Sequence, residues 1–125
     1  MSGNKVPTSG QAPSARAATS MYSVLVIDNF AVPDPDAARL IHGFTTWEAA
    51  VLYARRRTWD SVEEFRRPGS DVRAEFLRFG ESCSASGALG EEKNYRARDE
   101  LDYFLAHPAS KEQRDWSSLT PKSDK

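Results

Sequence analysis

The chain has 125 residues, 39% of them hydrophobic and 28% charged, with a formal net charge of −1. That length holds one modest domain, that balance is globular, and the near-zero charge excludes a molecule-wide polyelectrolyte attraction to nucleic acid or to an anionic membrane. A single cysteine, Cys83, excludes an internal disulfide, and no apolar run approaches the roughly 18–20 residues that span a bilayer, so the expected setting is the cytoplasm.

Residues 1–20 are rich in Ser, Ala, Gly, Pro and Thr and contain no acid. Such a segment buries too little surface to offset its ordering entropy and reads as a tail. Its composition breaks at Met21, which leaves a second account open: translation starting there, with the first twenty residues as upstream sequence. The apolar, β-branched run from Met21 to Ile27 predicts a buried strand, ended by Asp28-Asn29-Phe30. Two prolines, Pro33 and Pro35, make the next stretch a loop. Arg39 to Phe44 predicts a second strand, antiparallel to the first across an acidic connection.

From Phe44 to Arg67 the sequence predicts one long amphipathic helix. Thr45 and Glu48 have capping-box spacing. Trp47, Val51, Ala54, Thr58, Val62 and Phe65 then recur at steps of three and four, and Pro68-Gly69 stops the helix. A second, shorter helix follows, capped by Ser70 or Asp71 and running to Phe79. Val72, Phe76 and Phe79 form its stripe, with Gly80 at the position of a left-handed cap. Residues 81–92 are small and polar and predict a loop, with Ser82–Ala85 open as a short third strand. Asn94 is placed to cap a third helix from Tyr95 to Ala106, whose inner face is Ala97, Leu101, Phe104 and Leu105. Ser110 and Gln113 have capping-box spacing for one further turn ending near Trp116. Residues 117–125 read as a polar tail.

The pattern Tyr22-Ser23-Val24-Leu25-Val26-Ile27-Asp28-Asn29-Phe30, then Gly43-Phe44-Thr45, Glu48-Ala49-Ala50 and Phe79-Gly80-Glu81, resembles a family of small uncharacterised bacterial proteins. The resemblance covers residues 21–105. It implies a chain start near the first strand and carries no assigned activity. It departs from the family pattern after Glu81, where a more apolar strand than Ser-Cys-Ser-Ala-Ser is expected.

Four groups of residues bear on chemistry. Asp28, Asp34 and Asp36 lie on the hairpin connection, where oxygen ligands for a hard cation would cluster, although the spacing is not that of an EF-hand. Turn chemistry alone accounts for them. Seven arginines between 55 and 78 include the run Arg55-Arg56-Arg57, but five interleaved acids cancel most of their field. Three consecutive arginines also fan over more than half of a helix circumference. Phosphate binding with stacking on Trp59 or Tyr53 is the nucleic-acid reading of this helix. A solvated face laced with pairs such as Arg56–Asp60 and Glu63–Arg67 is the structural one. Cys83 has no nucleophile signature around it, and neither His42 nor His107 has a second ligand at metal spacing. Trp59 falls beside the main stripe, either as an exposed hot spot next to arginines or packed under the shorter helices.

The expectation from these residues is an α+β fold, with a β-hairpin, and room for a short third strand, packed against one long and two shorter helices. It forms a single domain at 21–116 between tails at 1–20 and 117–125. No motif fixes a reaction and no cofactor is implied. The expected function is a non-enzymatic protein-interaction or regulatory module, using Arg55, Arg56, Trp59 and Arg66 to bind a partner or a second copy. The alternatives are nucleic-acid binding by the arginine-rich helix, and metal or small-molecule binding by Asp28, Asp34 and Asp36.

Overall fold

The computed structural model describes residues 22–30, 38–87 and 93–122. The fold is α+β: a four-stranded antiparallel sheet in the order β2-β1-β3-β4 with its helices packed against it. β1 (Tyr22–Asp28) and β2 (Ala38–Phe44) form the expected hairpin, with Leu25 opposite Leu40 and Val26 opposite Arg39. The register slips between Tyr22 and Val24, where β2 bulges at His42-Gly43. Gly43 takes φ 102° there, a conformation an L side chain rarely adopts.

Helix α1 (Trp47–Glu63) is the long element, shorter at both ends than the sequence pattern. Phe44 belongs to β2. The cap is Thr46 rather than Thr45, its Oγ1 accepting from the Ala49 N–H at 3.1 Å. Shifting the cap by one residue leaves Glu48 in the first turn, where it suits the helix dipole but does not close a capping box. At the far end the backbone turns at Glu64 and Phe65, and Ser70 Oγ donates to the Phe65 carbonyl at 2.8 Å.

Helix α2 (Val72–Phe79) matches its predicted bounds and is capped by Asp71, whose Oδ1 accepts from the Ala74 N–H at 3.1 Å. Its stripe is narrower than expected. Phe76 is fully buried, but Phe79 is 46% exposed and lies against Phe30. Gly80 is not a left-handed cap: its φ is −85° and its ψ −176°. A glycine is needed there for closeness instead, because a Cβ would sit 2.6 Å from Phe76 Cδ1 and 2.9 Å from Ser61 Oγ.

The stretch left open as a third strand is one. β3 (Glu81–Ser86) lies between β1 and β4, pairing Leu25 with Ser84 and Val26 with Cys83. β4 (Asn94–Arg96) replaces the predicted start of the third helix: Asn94 pairs with Ser86 and Tyr95 with Ala85, so Asn94 is a strand residue and not a cap. The helical region that follows is a 3-10 turn (Ala97–Glu100) and then α3 (Leu101–Ala106). Its inner face is as read, with Ala97, Leu101 and Phe104 buried. The Ser110–Gln113 capping box is present in both directions, at 2.9 and 3.1 Å. Past it, Ser117–Leu119 forms another 3-10 turn and Leu119 packs on the core, so the domain extends beyond Trp116.

α1 serves two cores. Its first half, through Ala50, Tyr53 and Ala54, covers Val24, Val26, Ile41, Phe44, Cys83 and Ala85 on the inner face of the sheet. Its second half, through Trp59 and Val62, packs with Phe76, Ala97, Leu101 and Phe104. Between them lie buried polar residues, Arg57, Thr58 and Ser61. Their role is visible at β3. β4 is too short to pair with the start of β3, and Thr58 Oγ1 accepts from the Cys83 N–H while Ser61 Oγ accepts from the Glu81 N–H, both at 2.9 Å. Two helix hydroxyls three residues apart thus complete the strand edge, which satisfies donors that burial would otherwise leave costly.

Candidate functional site

The arginines and tryptophan singled out on the long helix are drawn into the molecule, with Arg66 lying just past the end of α1. Trp59 is 2% exposed, stacked on Phe104 with ring centroids 5.1 Å apart, and its Nε1 donates to the His107 carbonyl at 3.0 Å. Its large apolar ring fills the gap between α1 and α3, so the exposed-hot-spot reading is corrected. Arg55 lies over Trp59, 5.0 Å from the ring centroid, and pairs with Glu100 at 3.1 Å. Arg56 Nη1 donates to the Asp115 carbonyl at 3.2 Å rather than pairing with Asp60. Arg66 pairs with Glu63 at 2.9 Å, in place of the expected Glu63–Arg67 pair, and donates to the carbonyls of Phe104 and Leu105. Each of the four makes at least one contact with the chain beyond α1: Trp59, Arg56 and Arg66 with the C-terminal segment, and Arg55 with Glu100.

Of the three aspartates, Asp34 and Asp36 lie outside the described residues. Asp28 closes a local turn, its Oδ1 accepting from the Phe30 N–H at 3.0 Å. Among the described residues no three His, Cys, Asp or Glu side chains come together as a metal site. Cys83 is buried under α1, and burial pushes its thiol up to about 12, leaving no reactive thiolate near neutral pH. Tyr95 is likewise pushed up, by burial first and then by its hydrogen bond to the Glu100 carboxylate.

One cleft gathers charge. A space of about 350 Å³ is lined by Asp28, Asp60, Glu64 and Glu81 around Arg57, with Trp116 at its side. Arg57 pairs with Glu81 at 3.1 Å, donates to Tyr53 Oη at 2.7 Å, and sits 4.2 Å from the Trp116 ring centroid. Burial pulls its guanidinium down, but the bonds to Glu81 and Tyr53 outweigh that and hold it above the ordinary arginine value. Glu64 is pushed up from its ordinary value, by partial burial first and then by the nearby charges of Asp60 and Glu81. Arg57 holds this cleft together through Glu81 and Tyr53, as the centre of a charge network.

Among the described residues, the outer face of the sheet is one surface that α1 does not cover. Strand alternation places Leu25, Ile27, Leu40, His42, Ser82, Ser84, Asn94 and Arg96 there. Leu40 is 45% exposed and Leu25 and Ile27 are half-buried. At the β3–β4 side the face deepens into a groove of about 320 Å³ lined by Ile27, Ser82, Ser84, Arg96, Arg98 and the helix side chain Leu77. The sequence carried half a signal for this face. The run from Tyr22 to Ile27 is apolar at both parities, so both of its faces look buried, whereas α1 covers only the Val24 and Val26 side. No described helix is long and apolar enough to cross a membrane. No protein-family model, curated protein or solved structure matches the chain, so its function has to be argued from its own residues.

Proposed function

We propose that this is a non-enzymatic interaction module that binds a protein partner through the outer face of its sheet. The supporting observation is the pair Leu25 and Leu40, directly opposed on neighbouring strands of a face that α1 does not cover. An apolar pair held on a rigid sheet offers a partner surface area with little further ordering. The arginine side of α1 is set aside, because Arg55, Arg56 and Arg66 are bonded within the chain. The same bonding weighs against nucleic-acid binding by that helix.

The test is recovery of partners by the tagged protein from its own cells, before and after nuclease treatment. The paired change Leu25→Asp and Leu40→Asp is expected to abolish recovery of a protein partner while the urea midpoint stays near that of the unaltered protein. Arg56→Glu is expected to leave recovery intact. Undiminished recovery with the paired change sinks the reading, and a nuclease-sensitive captured signal without protein redirects it to nucleic acid.

A further inference from the structure

We propose that the groove at the β3–β4 side of the sheet binds a small organic anion, a carboxylate or phosphomonoester attached to an apolar body. Its volume, about 320 Å³, falls at the lower end of small-ligand pockets, about 300–1,000 Å³. The lining divides by chemistry. Ile27 from β1 and Leu77 from α2 give an apolar side. Ser82 and Ser84 from β3, with Asn29, give neutral polar groups, and Arg96 and Arg98 give two positive charges. Among the described residues that line it, none is a carboxylate.

The two arginines are available in a way the α1 arginines are not. Arg98 makes no side-chain bond or ion pair to any described residue. Arg96 has one, to Asp99 at 3.6 Å, with both side chains about two-thirds exposed (69% and 67%). A pair that long and that exposed holds its members weakly, so an incoming oxyanion displaces little. Ser82 Oγ already donates to Asn29 Oδ1 at 3.0 Å and Asn29 Nδ2 to the Phe76 carbonyl at 3.1 Å, which fixes the polar floor in place. A guanidinium presents a planar fork matched to carboxylate or phosphate oxygens. The guanidinium forks would take the ligand's anionic group and the Ile27–Leu77 side its apolar body. Among the described lining residues none is aromatic, which disfavours a nucleotide base as that body.

The probes are phenyl phosphate, phenylacetate, inorganic phosphate and benzyl alcohol, titrated to about 10 mM into the ¹⁵N-labelled full chain and followed by amide chemical shifts. Saturable shifts at Ile27, Ser82 and Ser84 are expected with phenyl phosphate or phenylacetate, and the tighter of the two identifies the anion. Arg98→Gln and the double change with Arg96→Gln are expected to raise Kd about tenfold or more, and Leu77→Asn to weaken the organic anions while sparing the fold. All three sites are exposed, so the urea midpoint is expected to hold. Absence of saturable shifts with both organic anions overturns the proposal. So does equal binding of benzyl alcohol, equal binding of inorganic phosphate, or a Kd indifferent to Arg98→Gln. Leu40→Asp alone, on β2 away from the groove, separates the two readings: it weakens partner recovery if docking holds and keeps the small anion if this site is real.

Discussion

Trp59 and Glu64 show how one side chain's surroundings reverse its meaning. Beside an arginine run, Trp59 has the composition of a hot spot. Stacked on Phe104 and donating to the His107 carbonyl, it is a keystone of the second core. Trp59→Ala removes a ring that is 2% exposed and is expected to destabilise the domain by about 3–5 kcal/mol, read as a fall in the urea midpoint. A change within about 0.5 kcal/mol, as at ordinary surface sites, would show that the ring is not packed this way. Glu64 works in the opposite sense. Its carboxyl is pushed up by partial burial and by the charges of Asp60 and Glu81, so the folded state holds its proton more tightly than the unfolded chain. That contribution is full below the ordinary value of 4.5 and is lost as pH rises through the folded value. Glu64→Gln is therefore expected to raise the melting temperature at neutral pH and to bring less gain once the pH falls below 4.5. The side chain is largely exposed and screened, which keeps the effect small. An equal gain at both pH values would place its cause outside this charge crowding.

Among the elements, β3 depends most on its surroundings. Its sequence, Ser-Cys-Ser-Ala-Ser after Glu81, has weak strand propensity. It becomes a central strand because small inward residues, Cys83 and Ala85, let α1 approach closely, and because Thr58 and Ser61 complete its edge. Thr58→Val keeps the volume and removes the acceptor, leaving the Cys83 N–H buried without a partner. The expected loss is about 1–3 kcal/mol, with hydrogen exchange at the Cys83 amide accelerated more than at Val24. Unchanged exchange there would mean that the hydroxyl is not what closes the edge. This also marks where the sequence is legible. The hairpin and the helices α1 and α2 carry their own period in Val24, Val26 and Ile41, in Ala54, Thr58 and Val62, and in Asp71 and Phe76. β3 and β4 do not, since their strand character comes from neighbours far along the chain. The Arg/Trp cluster was legible as a dense group of residues. Whether it faced outward depended on the 97–119 segment folding back over it, which no local pattern records. The outer face was half legible, through apolar residues at both parities of β1.

For the whole molecule, the decisive feature is that one helix runs through both cores while the C-terminal segment straps across it. Trp59 Nε1 holds the His107 carbonyl, Glu63 Oε2 accepts from the Ala109 N–H at 3.0 Å, and Asp60 takes Arg114 at 2.5 Å and Trp116 Nε1 at 3.0 Å. Trp116 then lies edge-on to Tyr53, 5.9 Å between centroids, at the boundary of the sheet core. The strap therefore touches the helical core near Ala109 and the sheet core near Trp116 and Leu119, with α1 as the rigid member between them. Deleting residues 108–125 uncovers Tyr53 and Arg57 and strips Asp60 of both its partners. Exposure of the half-buried Trp116 contact surface and loss of the Asp60 pairs together predict a destabilisation of about 3 kcal/mol. Because α1 is shared, the loss is expected in both cores: amide protection should fall together at Val24 in the sheet and at Phe104 in α3, in a single urea transition. Protection lost only around Tyr53 and Trp116, with Phe104 unchanged, would instead show two cores that open independently, with α1 as a linker between them.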